Sequence, residues 1–198
     1  DRVRRSHGIP LDAIVFLYLG RMSRDKGLLD LAQAFAEVGK QYPQAHLLLV
    51  GPDEDKMHAS LTDAAADSAA RLHFAGFTDR PQEYYAAADA CCLPSYREGF
   101  PTSMLEAAAT GAPAIGSRIY GITDAIVEGE TGLLFEAGNA QQLAQCMGTL
   151  VSDAGLRARL GNAARERAVR DYSSVVVTAA LLEYYAALLA HRVDQGNS

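Results

Sequence analysis

Short apolar runs alternate along this chain with longer segments whose apolar residues recur at helical spacing. Ile14-Val15-Phe16-Leu17-Tyr18-Leu19 is continuously apolar and ends at Gly20. Such a run predicts a strand buried on both faces, as parallel sheets require. Residues 27–40 then set Leu28, Leu31, Ala32, Phe35 and Val38 on one helical face. His46-Leu47-Leu48-Leu49-Val50 predicts a second buried strand, with a turn at Gly51. The alternation goes on with a helix over 54–68, a strand over 71–75, a helix from Pro81 through Ala88 and a strand Ala90–Leu93 stopped by Pro94. A helix is predicted over Ser103–Thr110, a strand over Ala114–Gly116 and, after a loop and short helix, a strand over Gly132–Phe135. Three helices close the chain, over 139–151, 153–170 and 173–191, and only the termini Asp1–Arg5 and Asp194–Ser198 read as loose.

Strand–helix alternation of this kind predicts an α/β fold, a doubly wound parallel sheet of Rossmann-like type with C-terminal helices, in one domain over 1–198. Open α/β sheets bind ligands beyond the carboxyl ends of their strands, so the loops there are where chemistry is expected.

Composition narrows the choice of ligand. The formal net charge of −6 disfavours binding to a nucleic-acid backbone. Cys91, Cys92 and Cys146 lack C-x-x-C spacing and read as small core residues of a reducing compartment, hence a cytoplasmic protein. The five histidines are scattered, so no protein-held metal is expected; His7, His58 and His191 read as solvated. No run approaches the ~20 apolar residues of a membrane span, and no signal peptide opens the chain. The first residue is Asp1 rather than Met, which reads as a segment from the middle of a longer protein.

Three post-strand loops carry unusual residues. In Gly20-Arg21-Met22-Ser23-Arg24-Asp25-Lys26-Gly27, Arg21 and Lys26 flank a helix start, which already favours an anion. A forked guanidinium and a mobile ammonium suit a diphosphate. The loop is no Walker A motif, because Lys precedes Gly and no Ser or Thr follows for magnesium. Taken alone, these charges fit a solvated loop equally well.

Glu98-Gly99-Phe100-Pro101-Thr102-Ser103-Met104-Leu105-Glu106 follows the fourth strand. Gly99 permits close backbone approach, and the helix start near Ser103 offers N–H groups to phosphate. Carboxylates accept from paired hydroxyls, which suits Glu98 to a sugar and Glu106 to a ribose. Ser103-x-x-Glu106 is also a capping box, with Ser103 as N-cap and Glu106 reaching back. In the third loop, Gly76-Phe77-Thr78-Asp79-Arg80, Phe77 either stacks on a base or packs on the next helix.

The Glu98–x7–Glu106 spacing, preceded by Gly20-Arg21…Lys26-Gly27 and followed by Gly129-x-Thr131-Gly132-Leu133-Leu134, resembles the retaining group 1 glycosyltransferases of the GT-B fold. The resemblance covers almost the whole chain and matches the C-terminal, donor-binding domain only. It implies that Arg21 and Lys26 bind the donor diphosphate and that Glu98 accepts from sugar hydroxyls. It also implies that the segment Phe100-Pro101-Thr102-Ser103 meets sugar and phosphate through its backbone N–H groups, and that Glu106 holds the ribose. The donor is then a nucleotide-diphosphate sugar, with uridine preferred over guanosine. No metal and no cofactor is implied. A leaving phosphate oxygen helps deprotonate the acceptor, with front-face departure and retained anomeric configuration.

A whole enzyme of this family also has an N-terminal acceptor domain, absent here, so the resemblance implies a hexosyltransferase fragment inactive by itself. The helix 173–191 would cross back onto that domain, leaving the stripe Val176, Ala180, Leu181, Tyr184 and Leu188 partly exposed. Polysaccharide or lipid-linked glycan synthesis is the implied role, with peripheral contact at the inner membrane face. A non-catalytic nucleotide or nucleotide-sugar binding module is the alternative. Arg118 reads as a surface charge, and Tyr84, Tyr85, Tyr184 and Tyr185 as packing residues with wet tips. The arginines at 157, 159, 165, 167 and 170 fit a solvated helix better than a lipid-binding face.

Overall fold

The computed structural model describes the backbone of residues 1–196 and the side chains of residues 1–189. The expectations for His191 and for the tail Asp194–Ser198 fall outside the described side chains. In chain order the elements are α1 (Arg2–Ser6), β1 (Ile14–Leu19), α2 (Leu28–Gln41), β2 (Ala45–Val50), α3 (His58–Ala65), β3 (Leu72–Phe74), α4 (Pro81–Tyr85) and β4 (Ala90–Leu93). Then follow α5 (Thr102–Thr110), β5 (Ala114–Ser117), α6 (Ile122–Ala125), β6 (Gly132–Phe135), α7 (Ala140–Ser152), α8 (Ala154–Tyr172) and α9 (Ser174–Gly196).

The strands form one parallel sheet in the order β3-β2-β1-β4-β5-β6. This is the doubly wound arrangement that the continuous apolar runs predict: β2, β4 and β5 are buried at every position because both faces of the sheet are covered. Helices group accordingly. α2 packs on α3 and α7, and α5 packs on α4 and α8, one group for each face. On α2, Leu28, Leu31 and Phe35 are essentially inaccessible, each contributing about 1.5–3 kcal/mol through burial. The chain reverses its winding direction between β1 and β4, and this switch point is where the loops after the two strands diverge and leave a crevice.

Three expectations change at the level of local structure. The N-terminus is anchored rather than loose. Val3 is buried, and the Arg4 guanidinium donates to the carbonyls of Leu11 (3.0 Å), Ala13 (2.9 Å) and Ala87 (2.9 Å) and to Asp89 Oδ2 (2.8 Å). One arginine thus makes four hydrogen bonds while its stem packs. The helix expected over 54–68 starts at His58, because the Asp53 carboxylate accepts from the N–H groups of Met57 (2.7 Å) and His58 (3.2 Å) and fixes a turn before it. It then tightens to a 3-10 stretch, Ala66–Arg71. The third change concerns the C-terminal helices. The stretch Ala154–Leu189 contains a window long and apolar enough to cross a membrane by length and composition, none of it buried. Counting uninterrupted apolar residues missed it, because isolated polar residues such as Thr178 and Glu183 interrupt the run without offsetting its average. Every described side chain of α9 is exposed, and the helix touches the body of the fold chiefly through α8.

Candidate functional site

A cleft of about 350 Å³ opens at the carboxyl ends of β1 and β4, lined by Tyr18, Leu19, Gly20, Arg21, Lys26, Tyr85, Leu93, Glu98, Phe100, Pro101, Thr102, Ser103 and Glu106. It brings together nine of the sequence candidates from two loops far apart in the chain. Phe77 and Gly99 are not among its walls. A larger groove of about 650 Å³ runs between α2 and α7, but its lining is mostly glutamine, alanine and threonine with Glu37 as the one charged side chain. It gathers no post-strand loop and no cation.

Direct stitching holds the first loop to the second. Tyr96 N donates to Asp25 O (2.9 Å), and Tyr96 Oη donates to Asp30 Oδ2 (2.6 Å). Gly27 sits at φ +65°, and a Cβ there would lie 2.0 Å from the Pro94 carbonyl oxygen, so the loops touch backbone to backbone. Tyr18, fully buried at the end of β1, donates its hydroxyl to the Arg21 carbonyl (2.6 Å). Burial, with Glu98 nearby, pushes that phenol well above its ordinary range, so it stays a donor.

Lys26 and Glu98 form an ion pair across the crevice at 2.8 Å, with side chains only 15% and 14% exposed. The buried Ser95 hydroxyl donates to the same carboxylate oxygen, Glu98 Oε1, at 2.7 Å. Oε2 has no partner among the described residues, so Glu98 keeps an acceptor for a ligand. Arg21 behaves differently. It is exposed and paired with Glu54 at 2.7 Å, and that hydrogen bond raises its pKa further. An exposed pair contributes little stability, so a stronger anion can take the guanidinium at small cost.

Of the two readings of Ser103-x-x-Glu106, the capping box is not formed. The N-cap of α5 is Pro101 and no side chain caps the helix, so Ser103 lies within the first turn. The chain enters from an extended Pro101, which places the helix start two residues earlier than the Ser-x-x-Glu pattern needs. First-turn N–H groups therefore remain available at the cleft. Glu106, exposed, turns to Tyr85 instead and accepts from its hydroxyl at 2.9 Å. Phe77 is 78% exposed, so it packs on no helix. A Cβ at Gly99 would meet nothing within 4 Å, while its carbonyl lies so near Gly121 that a Cβ there would come within 1.8 Å.

Several participants escaped sequence reading. Ser95 and Tyr18 carried no spacing signal beyond a polar atom at the end of an apolar strand, and Tyr85 read only as a packing residue. His46 and His73, on adjacent strands, approach with Nδ1···Nε2 at 2.9 Å; burial and the neighbouring ring lower His73 to about 4. His7 and His58 are not simply solvated: His7 lies against Tyr84, and His58 against Phe74 and Asp53. Arg118 is a surface charge, forked onto Glu128 and bonded to Glu136. On α8, Arg157, Arg159 and Arg167 donate to backbone carbonyls and Arg170 pairs with Asp171, so these arginines form no free basic face. Cys91 is fully buried and its thiol is pushed up to about 12, which removes it as a nucleophile. Among the described residues no group of three His, Cys, Asp or Glu side chains could hold a metal ion.

Fold and cleft together define a Rossmann-like α/β domain with a polar crevice at its topological switch point. Residues 1–167 match the family model described as glycosyl transferases group 1, and the chain belongs to that family. It is 32% identical over 204 residues to the D-inositol 3-phosphate glycosyltransferase of Corynebacterium efficiens, covering 99% of this chain and 48% of that protein. The chain thus spans about half the length of this relative. Among solved structures, sucrose-phosphate synthase from Thermosynechococcus elongatus superposes with a TM-score of 0.84 at 31% identity, over 95% of this chain and 48% of that one. A TarM variant of S. aureus, solved in complex with UDP among other ligands, superposes with a TM-score of 0.79 at 26% identity, over 89% of this chain and 35% of that one. The part matched is the C-terminal domain of GT-B glycosyltransferases.

Proposed function

We propose that this chain holds the nucleotide-diphosphate-sugar donor for a retaining hexosyl transfer. The observation that carries the reading is the convergence of Arg21, Lys26, Glu98, Glu106 and the uncapped start of α5 on one cleft. A donor sets a charged diphosphate between the hydroxyl pairs of a sugar and of a ribose, and the cleft offers cations, an amide cluster and two carboxylates. The UDP in the related TarM structure favours uridine as the base.

In the donor complex the diphosphate takes Arg21 from Glu54 and shares Lys26 with Glu98. Glu98, steadied by Ser95, accepts from sugar hydroxyls through its uncommitted oxygen. Amides from Phe100 to Ser103 approach the sugar and phosphate, and Glu106 accepts from the ribose. During transfer the anomeric C–O bond breaks and the diphosphate leaves with the electron pair. The acceptor hydroxyl oxygen bonds to the same face of the anomeric carbon, and its proton passes to the leaving phosphate oxygen. Charge grows on the diphosphate as the bond breaks, so Arg21 and Lys26 act most strongly in the transition state. Their fixed charge supplies what a metal would otherwise give.

The acceptor side lies on the other domain of the full-length enzyme, so this chain binds donor without transferring it. Glycan synthesis on a polysaccharide or lipid-linked acceptor is the role we assign to the whole. Calorimetric titration with UDP, GDP and their hexose conjugates tests the reading. One nucleotide should bind saturably, and Arg21→Ala and Glu106→Ala should each weaken it about tenfold. Binding unaffected by both substitutions would place the ligand elsewhere and sink the proposal.

A further inference from the structure

Glu106 belongs to an exposed face of α5, where a glutamate side chain ordinarily wanders among rotamers. Here it is tied down. Tyr85, the last residue of α4 and 98% inaccessible, donates its hydroxyl to Glu106 Oε2 at 2.9 Å. Among the described residues no donor reaches Oε1. Both side chains line the cleft, and both also line a second, mostly apolar cavity of about 330 Å³ between α4 and α5. The Tyr85–Glu106 bond therefore stands between the two spaces. Burial, then the bond to Glu106, raises the Tyr85 phenol far above its ordinary range, so the hydroxyl remains a donor at every physiological pH.

We propose that Tyr85 is a positioning residue for nucleotide recognition: its hydroxyl fixes the Glu106 carboxylate with one oxygen left to take the ribose hydroxyls. The inference rests on the donor-site reading above. A hydrogen bond to a carboxylate is of the strong, charge-assisted kind, and a carboxylate already held in place loses little freedom when ligand arrives. Tyr85 thereby makes the site selective for ribose without touching the sugar-transfer chemistry.

The test is calorimetric titration of the chain with UDP and with 2′,3′-dideoxy-UDP, on the wild type, Tyr85→Phe, Glu106→Ala and the double variant. The wild type should prefer UDP by about tenfold. Tyr85→Phe should lose about fivefold to tenfold for UDP and keep its dideoxy-UDP affinity within about twofold, because only the ribose contact depends on the held carboxylate. The double variant should bind no more weakly than Glu106→Ala, since the hydroxyl acts through that carboxylate. An equal loss for both nucleotides in Tyr85→Phe would make Tyr85 merely structural and overturn the inference while leaving the donor site standing. Unchanged UDP affinity in that variant would overturn it too. A wild type that binds neither nucleotide overturns the donor-site reading itself.

Discussion

Replacing Gly27 by alanine tests the contact that builds the crevice. Gly27 occupies the left-handed region at φ +65°, where an L side chain costs about 1–2 kcal/mol. A Cβ there would also stand 2.0 Å from the Pro94 carbonyl oxygen and 2.9 Å from its carbon, both backbone atoms. Neither can rotate away, so the loops after β1 and β4 must part by more than an ångström. The sum is a loss of about 3–5 kcal/mol, in the range of the severe substitutions. Gly111 gives the control. It ends α5 at φ +85°, yet a Cβ there meets nothing within 4 Å, so Gly111→Ala should cost only the backbone strain, about 1–2 kcal/mol. Urea denaturation of the two variants reads both costs, provided the slope of stability against denaturant stays constant. Lys26 precedes Gly27, so Gly27→Ala should also weaken nucleotide binding while Gly111→Ala should not. Equal destabilisation by the two substitutions would refute the contact as the reason for glycine at this position.

Other expectations follow from the same geometry. Lys26→Met leaves Glu98 mostly buried without its cation and should destabilise by about 2–3 kcal/mol in denaturant melts, whereas Lys26→Met with Glu98→Gln should recover at least half of that loss. His73 titrates near 4 in the fold against 6.5 for an ordinary histidine, so between those values the unfolded chain binds the extra proton. Stability should be full above pH 6.5 and fall as pH drops toward 4, by about 1–2 kcal/mol for this partly buried ring after solvent screening; in His73→Gln thermal melts that part of the pH slope should vanish. Ending the chain at Ser173 removes a helix whose described side chains are all exposed. It should change unfolding stability by less than about 1 kcal/mol, and sedimentation should show less self-association than the full chain.

The sheet was legible because burial on both faces leaves an unmistakable trace: β1 is an unbroken apolar run and β2 is interrupted only by His46, each followed by glycine. The cleft walls were legible only from the post-strand loops taken together and in order, since the Arg21 and Lys26 loop alone fits a solvated loop equally well. Pairings across the sequence were not. Nothing near Glu106 points to Tyr85, 21 residues earlier, and the local capping pattern pointed the carboxylate the wrong way. The His46–His73 contact is likewise a product of strand adjacency, which no spacing rule encodes, whereas the Ser95 bond to Glu98 spans only three residues of one loop and was hidden because a lone serine has many uses. Arg4 was misread for the opposite reason, because a charged terminus ordinarily frays and this one reaches four acceptors. Phe77 shows that an aromatic in a post-strand loop need not find a packing partner within its own chain.

Mapping amide chemical shifts during a UDP titration tests the central claim most directly. Perturbations concentrated on Gly20–Gly27 and Phe100–Glu106, the two loops that meet at the switch point, are the predicted result. Perturbations centred instead on the α2–α7 groove, around Gln33, Gln41 and Gln145, would contradict it.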